Sequence, residues 1–188
     1  KRRRELFLFL VPFIKSLDAV VLYATTVADE AFTIGEETMI LSSGYLVDMG
    51  ARESILNSAK SLTSYRYAAG IASNTAKGVI KKENGKIVLN ILGKSIPLEK
   101  GKILNEIYFD GGEVIAAFLL KMDENGDFMP NESSFLESVF GNSILHTMAD
   151  GAMLSIPVAD SDMNIRFGID MDTLRIFDAA SEKPVYFA

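Results

Sequence analysis

Hydrophobic and polar positions follow two patterns along the chain, one helical and mixed, the other made of short strands. Residues 2–16 mix Arg, Leu and Phe and read as a helix that Pro12 kinks or interrupts. Leu17-Asp18 leads into Ala19-Val20-Val21-Leu22-Tyr23, an apolar β-rich run with no polar alternation, as expected of a strand covered on both faces. A short helix follows, starting near Asp29. The run 38–41 then meets 45–49 across Ser42-Ser43-Gly44, a Gly-containing link of hairpin length. The chain turns at Gly50, enters a helix through Ala51-Arg52-Glu53-Ser54-Ile55-Leu56, and is helical in part over 57–72.

From Lys77 onward the period shortens. Residues 78–82 and 86–91 are joined by Glu83-Asn84-Gly85, whose Asn-Gly pair is a strong hairpin signal. Residues 95–98 form a further strand after Gly93-Lys94. Later strand candidates are 113–120, 135–140, 143–147, 152–158, 164–169 and 174–177. Many short strands at this spacing predict a small barrel or sandwich.

The order of elements in the first part resembles the end of the nucleotide-binding domain of an ABC transporter. The match is to the ATPase subunits of sugar and glycerol-phosphate importers. That family has a strand ending in a Thr-His switch, an acidic Glu-Ala helix, a strand pair around an x-Gly-x turn, and a Gly-Thr-Pro-Glu-Glu-Ile helix. The corresponding residues here are Tyr23-Ala24-Thr25-Thr26, Asp29-Glu30-Ala31, Ser43-Gly44-Tyr45-Leu46-Val47 and Gly50-Ala51-Arg52-Glu53-Ser54-Ile55. The family's switch histidine falls on Thr26, so its γ-phosphate-sensing imidazole is absent. A basic Leu-Arg-Arg-x-Leu-Arg helix occupies the place of residues 1–4. Ser73-Asn74 echoes the end of the Ser-Pro-x-Met-Asn sequence where the family crosses into a β-rich domain.

The closing stretch, Ile165-Arg166-Phe167-Gly168-Ile169-Asp170 with Leu174-Arg175-Ile176-Phe177-Asp178, is similar to that family's ending. Ala117-Phe118-Leu119-Leu120-Lys121 departs from the family's Gly-Ile-Arg-Pro-Glu. The fold that the resemblance implies is α+β: residues 1–72 the tail of an α/β nucleotide-binding domain, residues 73–188 an OB-like β-barrel regulatory domain of the TOBE type.

Composition narrows the chemistry. The 188 residues are 48% hydrophobic and 23% charged, which excludes wholesale disorder. With no cysteine, neither disulfides nor thiolate metal sites can form. Residues 1–70 hold eight basic and eight acidic side chains and residues 71–188 hold 11 and 17, so the net charge of −6 lies in the second part. An acidic second part argues against a nucleic-acid surface there. Lys1-Arg2-Arg3-Arg4 followed by Leu6-Phe7-Leu8-Phe9-Leu10-Val11 has the look of a signal peptide. No small-residue cleavage site follows, and Pro12 and Lys15 limit the run to well below the roughly 20 residues that span a bilayer. The four basic residues read as a solvated first turn. The chain opens on Lys1 rather than Met, which the resemblance reads as the interior of a longer open reading frame, processing being the alternative.

An ABC ATPase needs a glycine-rich loop with Lys, a Gln, a Ser-Gly-Gly signature and a base after a hydrophobic strand. No Gly-x-x-x-x-Gly-Lys-Ser/Thr occurs in this sequence. The stretch itself is therefore not expected to bind or hydrolyse ATP. ATP and Mg belong to the full-length parent that the resemblance implies. Thr26 is the nucleotide switch position: shorter than His, it cannot carry a positive charge. A Tyr-Ala-Thr-Thr sequence also resembles one of two non-identical ATPases in certain glycerol-3-phosphate importers.

The remaining candidates read blandly. His146, the only histidine, is a satisfied strand or surface residue rather than a zinc ligand or a triad member. Asp123-Glu124-Asn125-Gly126-Asp127 is a solvated turn rather than a calcium loop, because Phe128 and Ser134 stand where Gly and Glu are needed. Asp160, Asp162, Asp170 and Asp172 sit in turns and read as structural rather than as glycosidase carboxylates. Ile144, Leu145, Phe167 and Phe177 suit either a dimer face or the barrel core.

The resemblance implies a second ATPase subunit (a twin or a paralogue) and transmembrane permeases as partners, and a place on the cytoplasmic side of the membrane. The competing readings are a stand-alone, non-enzymatic β-barrel module that binds a small anion or sugar, and a purely structural dimerisation fragment.

Overall fold

A computed structural model describes residues 2–99, 102, 106–139, 142–159 and 165–187. Helix α1 (Arg2–Ser16) runs straight through Pro12. After an irregular segment, α2 (Ala28–Ile34) leads to the hairpin of β1 (Thr38–Ser42) and β2 (Tyr45–Gly50), then to α3 (Arg52–Ser58) and α4 (Leu62–Ala69). Ser61 fixes the start of α4 through a reciprocal cap. Its hydroxyl accepts the Ser64 N–H at 3.1 Å while the Ser64 hydroxyl accepts the Ser61 N–H at 3.1 Å.

The strand-rich part comprises β3 (Asn74–Glu83), β4 (Lys86–Ile91), β5 (Lys94–Leu98), β6 (Asp110–Phe118), β7 (Leu120–Met122), β8 (Phe135–Val139), β9 (Asn142–Ala149), β10 (Ala152–Val158), β11 (Phe167–Ile169), β12 (Arg175–Asp178) and β13 (Pro184–Phe187). A six-stranded antiparallel sheet runs β13-β12-β6-β3-β4-β5, a three-stranded one β10-β9-β8, and short pairs join β11 to β7 and β1 to β2. Ser43-Gly44, Asn84-Gly85, Leu92-Gly93 and Asp150-Gly151 each turn a hairpin with φ between 46° and 82°, the left-handed pair that matches strand twist.

The period of two places the layers. Val114, Ala116 and Phe118 of β6 face the main core with Ile80, Leu89, Leu145, Leu154, Ile156, Phe167 and Ile176. The alternate residues Ile115 and Ala117, with Phe177, meet Ala59, Leu62 and Tyr65 of the α3–α4 region on the other side. A third small cluster, Ile40, Ile55 and Ala68, joins the β1–β2 hairpin to both helices.

Three expectations need correction. Residues 19–23 form no strand: Val20 and Leu22 are 104% and 84% exposed, and their backbone joins no ladder among the described residues. A run of this composition is a strand only when neighbouring strands satisfy it. The strands close into no barrel among the described residues, since β13 and β5 end the largest sheet as separate edges. The fold is mixed α+β, dominated by sheets. Finally, Ile144, Leu145, Phe167 and Phe177 are at most 1% exposed, buried within the chain itself and so not a dimer face.

Candidate functional site

Thr26 lies on the loop that enters α2, and its side chain is exposed. The loop is held by Glu30, a carboxylate only 9% exposed. Glu30 accepts hydrogen bonds from the Thr25 hydroxyl at 2.8 Å and the Tyr23 hydroxyl at 3.1 Å. Thr25 in turn accepts the Val27 N–H at 3.1 Å, which fixes the backbone on both sides of position 26.

Helix α2 is anchored from behind. Arg52 pairs with Asp29 at 2.6 Å, donates from Nε to the Ala68 carbonyl at 2.8 Å, and lies 5.2 Å over the Phe32 ring. A cavity of about 920 Å³, lined by Ile14, Leu22, Tyr23, Thr25, Ala31 and Ile40 among others, opens beside the loop. Thr25 lines it; Thr26 does not. The hydroxyl of Thr26 can donate or accept one hydrogen bond to an incoming oxygen but cannot titrate near neutral pH.

A second polar centre joins the helices to the large sheet. Arg175, 2% exposed, donates to the carbonyls of Asn57 at 3.0 Å, Asp172 at 2.9 Å and Leu174 at 2.7 Å. Burial pushes its pKa below the usual guanidinium value. Tyr65, fully buried, donates to the Thr173 carbonyl at 3.0 Å, and desolvation raises its phenol pKa. Asn74, 1% exposed, takes both backbone groups of Ser155: its Nδ2 donates to Ser155 O at 2.9 Å and its Oδ1 accepts the Ser155 N–H at 2.6 Å. Of these three, only Asn74 fell within a motif singled out in the sequence.

His146 is a buried strand residue with both ring nitrogens engaged, Nδ1 with the Ser155 hydroxyl at 2.9 Å and Nε2 with Glu137 at 3.0 Å. Its ring stacks on Phe135 at 4.8 Å. The hairpin turn at Asp150-Gly151 sets this row by placing Ser155 opposite His146, a register the sequence carries in that Asp-Gly pair. Neither cavity described here is lined by these three residues.

The acidic loop is a turn. Asp123 accepts the Asn125 N–H at 2.9 Å and Asp127 pairs with Lys94 at 2.8 Å. Among the described residues no group of three or more His, Cys, Asp or Glu is placed to hold a metal ion. Asp170 pairs with Lys121 at 3.2 Å and the Asp172 carbonyl caps Arg175. Asp160 and Asp162 lie outside the described residues. No described helix is long and apolar enough to cross a membrane.

Comparison with known proteins adds one relationship. No family model matches the chain. It is similar to the uncharacterized ABC transporter ATP-binding protein YurJ of Bacillus subtilis (strain 168), 24% identical in an alignment covering 90% of this chain and 50% of that protein. This distant relationship supports an ABC ATPase subunit as the class. The chain spans about half the length of the curated relative it matches.

Proposed function

We propose that the chain is the C-terminal regulatory and dimerisation portion of the ATPase subunit of an ABC importer for carbohydrate or glycerol-phosphate-like solutes. Residues 1–72 are the tail of its nucleotide-binding domain, and residues 73–188 are a regulatory domain of OB-like, TOBE-type descent. The parent binds ATP and Mg, pairs with a second ATPase subunit, and docks on permeases at the inner face of the membrane. Thr26 stands at the switch position next to the nucleotide.

The observation that carries this reading is the distribution of uncovered apolar side chains. Leu6, Leu8, Phe9, Phe13, Val20 and Leu22 are all between 53% and 104% exposed, and Leu41, Tyr45 and Leu46 between 56% and 76%. Apolar surface concentrated in one region implies a covering partner. The rest of a nucleotide-binding domain supplies one, with strands to pair residues 19–23.

Hydrogen–deuterium exchange tests this. In the natural full-length protein the amides of 19–23 exchange at least about 100-fold more slowly than in this chain alone, as buried ladder amides do. Equally fast exchange in both overturns the reading.

A further inference from the structure

We propose that the outer face of β3–β5 holds a binding site for a small oxyanion of the phosphate class, formed by Lys77, Asn90, Lys94 and Ser95. The inference needs neither a nucleotide nor the transporter reading.

Charge points to it first. The acidity of the second part of the chain conceals a reversal: residues 74–102 carry seven lysines and two glutamates, whereas residues 103–188 carry four basic and 15 acidic side chains. Lys77, Lys81, Lys82, Lys86 and Lys94 are all exposed on or beside three adjacent strands. A concentrated positive patch on an otherwise negative protein raises the local concentration of small anions.

Geometry narrows the patch to one place. A cavity of about 380 Å³, within the usual range for small-molecule sites, is lined by Lys77, Asn90, Leu92, Lys94, Ser95 and Asp150 among others. Register puts Val79 beside Asn90 and Asn90 beside Ser95, so Asn90 and Ser95 share a face with Lys77, two residues from Val79. Lys77 has no partner among the described residues. Lys94 is tethered by Asp127 at 2.8 Å, which uses one of its three N–H donors and leaves two.

Asn90 donates one amide N–H to Glu83 at 3.2 Å and accepts the Ser95 hydroxyl at 2.5 Å, so its second N–H is uncommitted. Asp150 sets a like charge on the opposite rim, which confines an anion to the lysine side.

The wall of the cavity is strained where it bends. Leu92 is 8% exposed with φ 50°, a left-handed conformation that bulky side chains rarely adopt and that concentrates at binding sites. Beneath it, Gly78 lets β3 approach β4 so closely that a Cβ would clash with Ile91 and lie 2.8 Å from the Asn90 carbonyl.

The test titrates this chain with inorganic phosphate at fixed ionic strength, read by amide NMR shifts and calorimetry. The expected result is saturable binding with shifts confined to Gly93, Lys94, Ser95 and the neighbouring cavity wall. Lys77→Gln weakens it about tenfold, the loss of one charge-assisted hydrogen bond. Lys77→Arg retains binding, and Lys81→Gln, on the same strip outside the cavity, changes it less than twofold. Glucose 6-phosphate binding more tightly than phosphate assigns the site to a phosphate monoester, and equal binding assigns it to the free anion. Non-saturating shifts spread evenly over all five lysines, or no effect of Lys77→Gln in a folded variant, overturn the proposal.

Discussion

Asn74 joins two sheets that no ladder connects. It sits at the start of β3, in the six-stranded sheet, and grips Ser155 of β10, an edge of the three-stranded one, while also donating to the Ala72 carbonyl at 2.8 Å. Asn74→Ala removes three hydrogen bonds and leaves Ser155 N–H, Ser155 C=O and Ala72 C=O without their partner. At about 1 kcal/mol net per bond, with extra cost for stranded buried groups, the loss is about 3–5 kcal/mol. For a chain of this length that lowers Tm by about 6–15 °C. Asn74→Asp keeps the acceptor for Ser155 N–H but turns the two donor contacts into repulsions between a carboxylate and carbonyl oxygens, so it destabilises at least as much as Ala. Urea unfolding of the three proteins, with hydrogen exchange at Ser155, measures both effects. A loss below about 1 kcal/mol for Asn74→Ala, or an Asp variant as stable as wild type, refutes the reasoning.

Further outcomes follow from other sites. The hydroxyl and N–H of Ser181, with the Tyr108 hydroxyl, hold Asp178 at a pKa of about 2, below its ordinary value of 3.8. A depressed native pKa gives stability that is fully present above about pH 4 and is lost as pH falls toward 2, so Asp178→Asn flattens the stability–pH curve in that window; an unchanged slope contradicts it. Gly78→Ala forces a Cβ into Ile91 and the Asn90 carbonyl and lowers stability by about 1–3 kcal/mol in thermal unfolding. In a full-length ATPase assembly, Thr26→His raises turnover if position 26 is the switch; unchanged nucleotide affinity and turnover count against that role.

Turn chemistry was the most legible part of the fold. Ser43-Gly44 and Asn84-Gly85 announce their hairpins because Gly, Asn and Ser tolerate positive φ. Leu92-Gly93 turns one residue earlier than Gly93-Lys94 implies, since Leu92 bears a conformation its side chain disfavours. Strand β13 escaped notice because Pro184 reads as a breaker, yet it sits on a sheet edge, where proline is tolerated. The pairing of β6 with both β3 and β12 depends on contacts between distant segments, which local pattern does not encode.

The candidate site divides the same way. The position of Thr26 followed from motif order, but the Glu30 carboxylate that fixes its loop, and the burial of Arg175 and Tyr65, did not, because polar residues carry no signature of burial. The run 19–23 shows the opposite failure: its composition is that of a buried strand, and only the absence of paired neighbours among the described residues leaves it exposed.

The most direct test of the central claim is the intact mass and N-terminal sequence of the native protein. The account predicts a chain extending upstream of Lys1 and carrying Gly-x-x-x-x-Gly-Lys-Ser/Thr, with a mass about twice the 20.6 kDa of this one, in keeping with the half-length match to its relative. A native chain that starts at Lys1 contradicts the ATPase reading, and the stand-alone binding module takes its place.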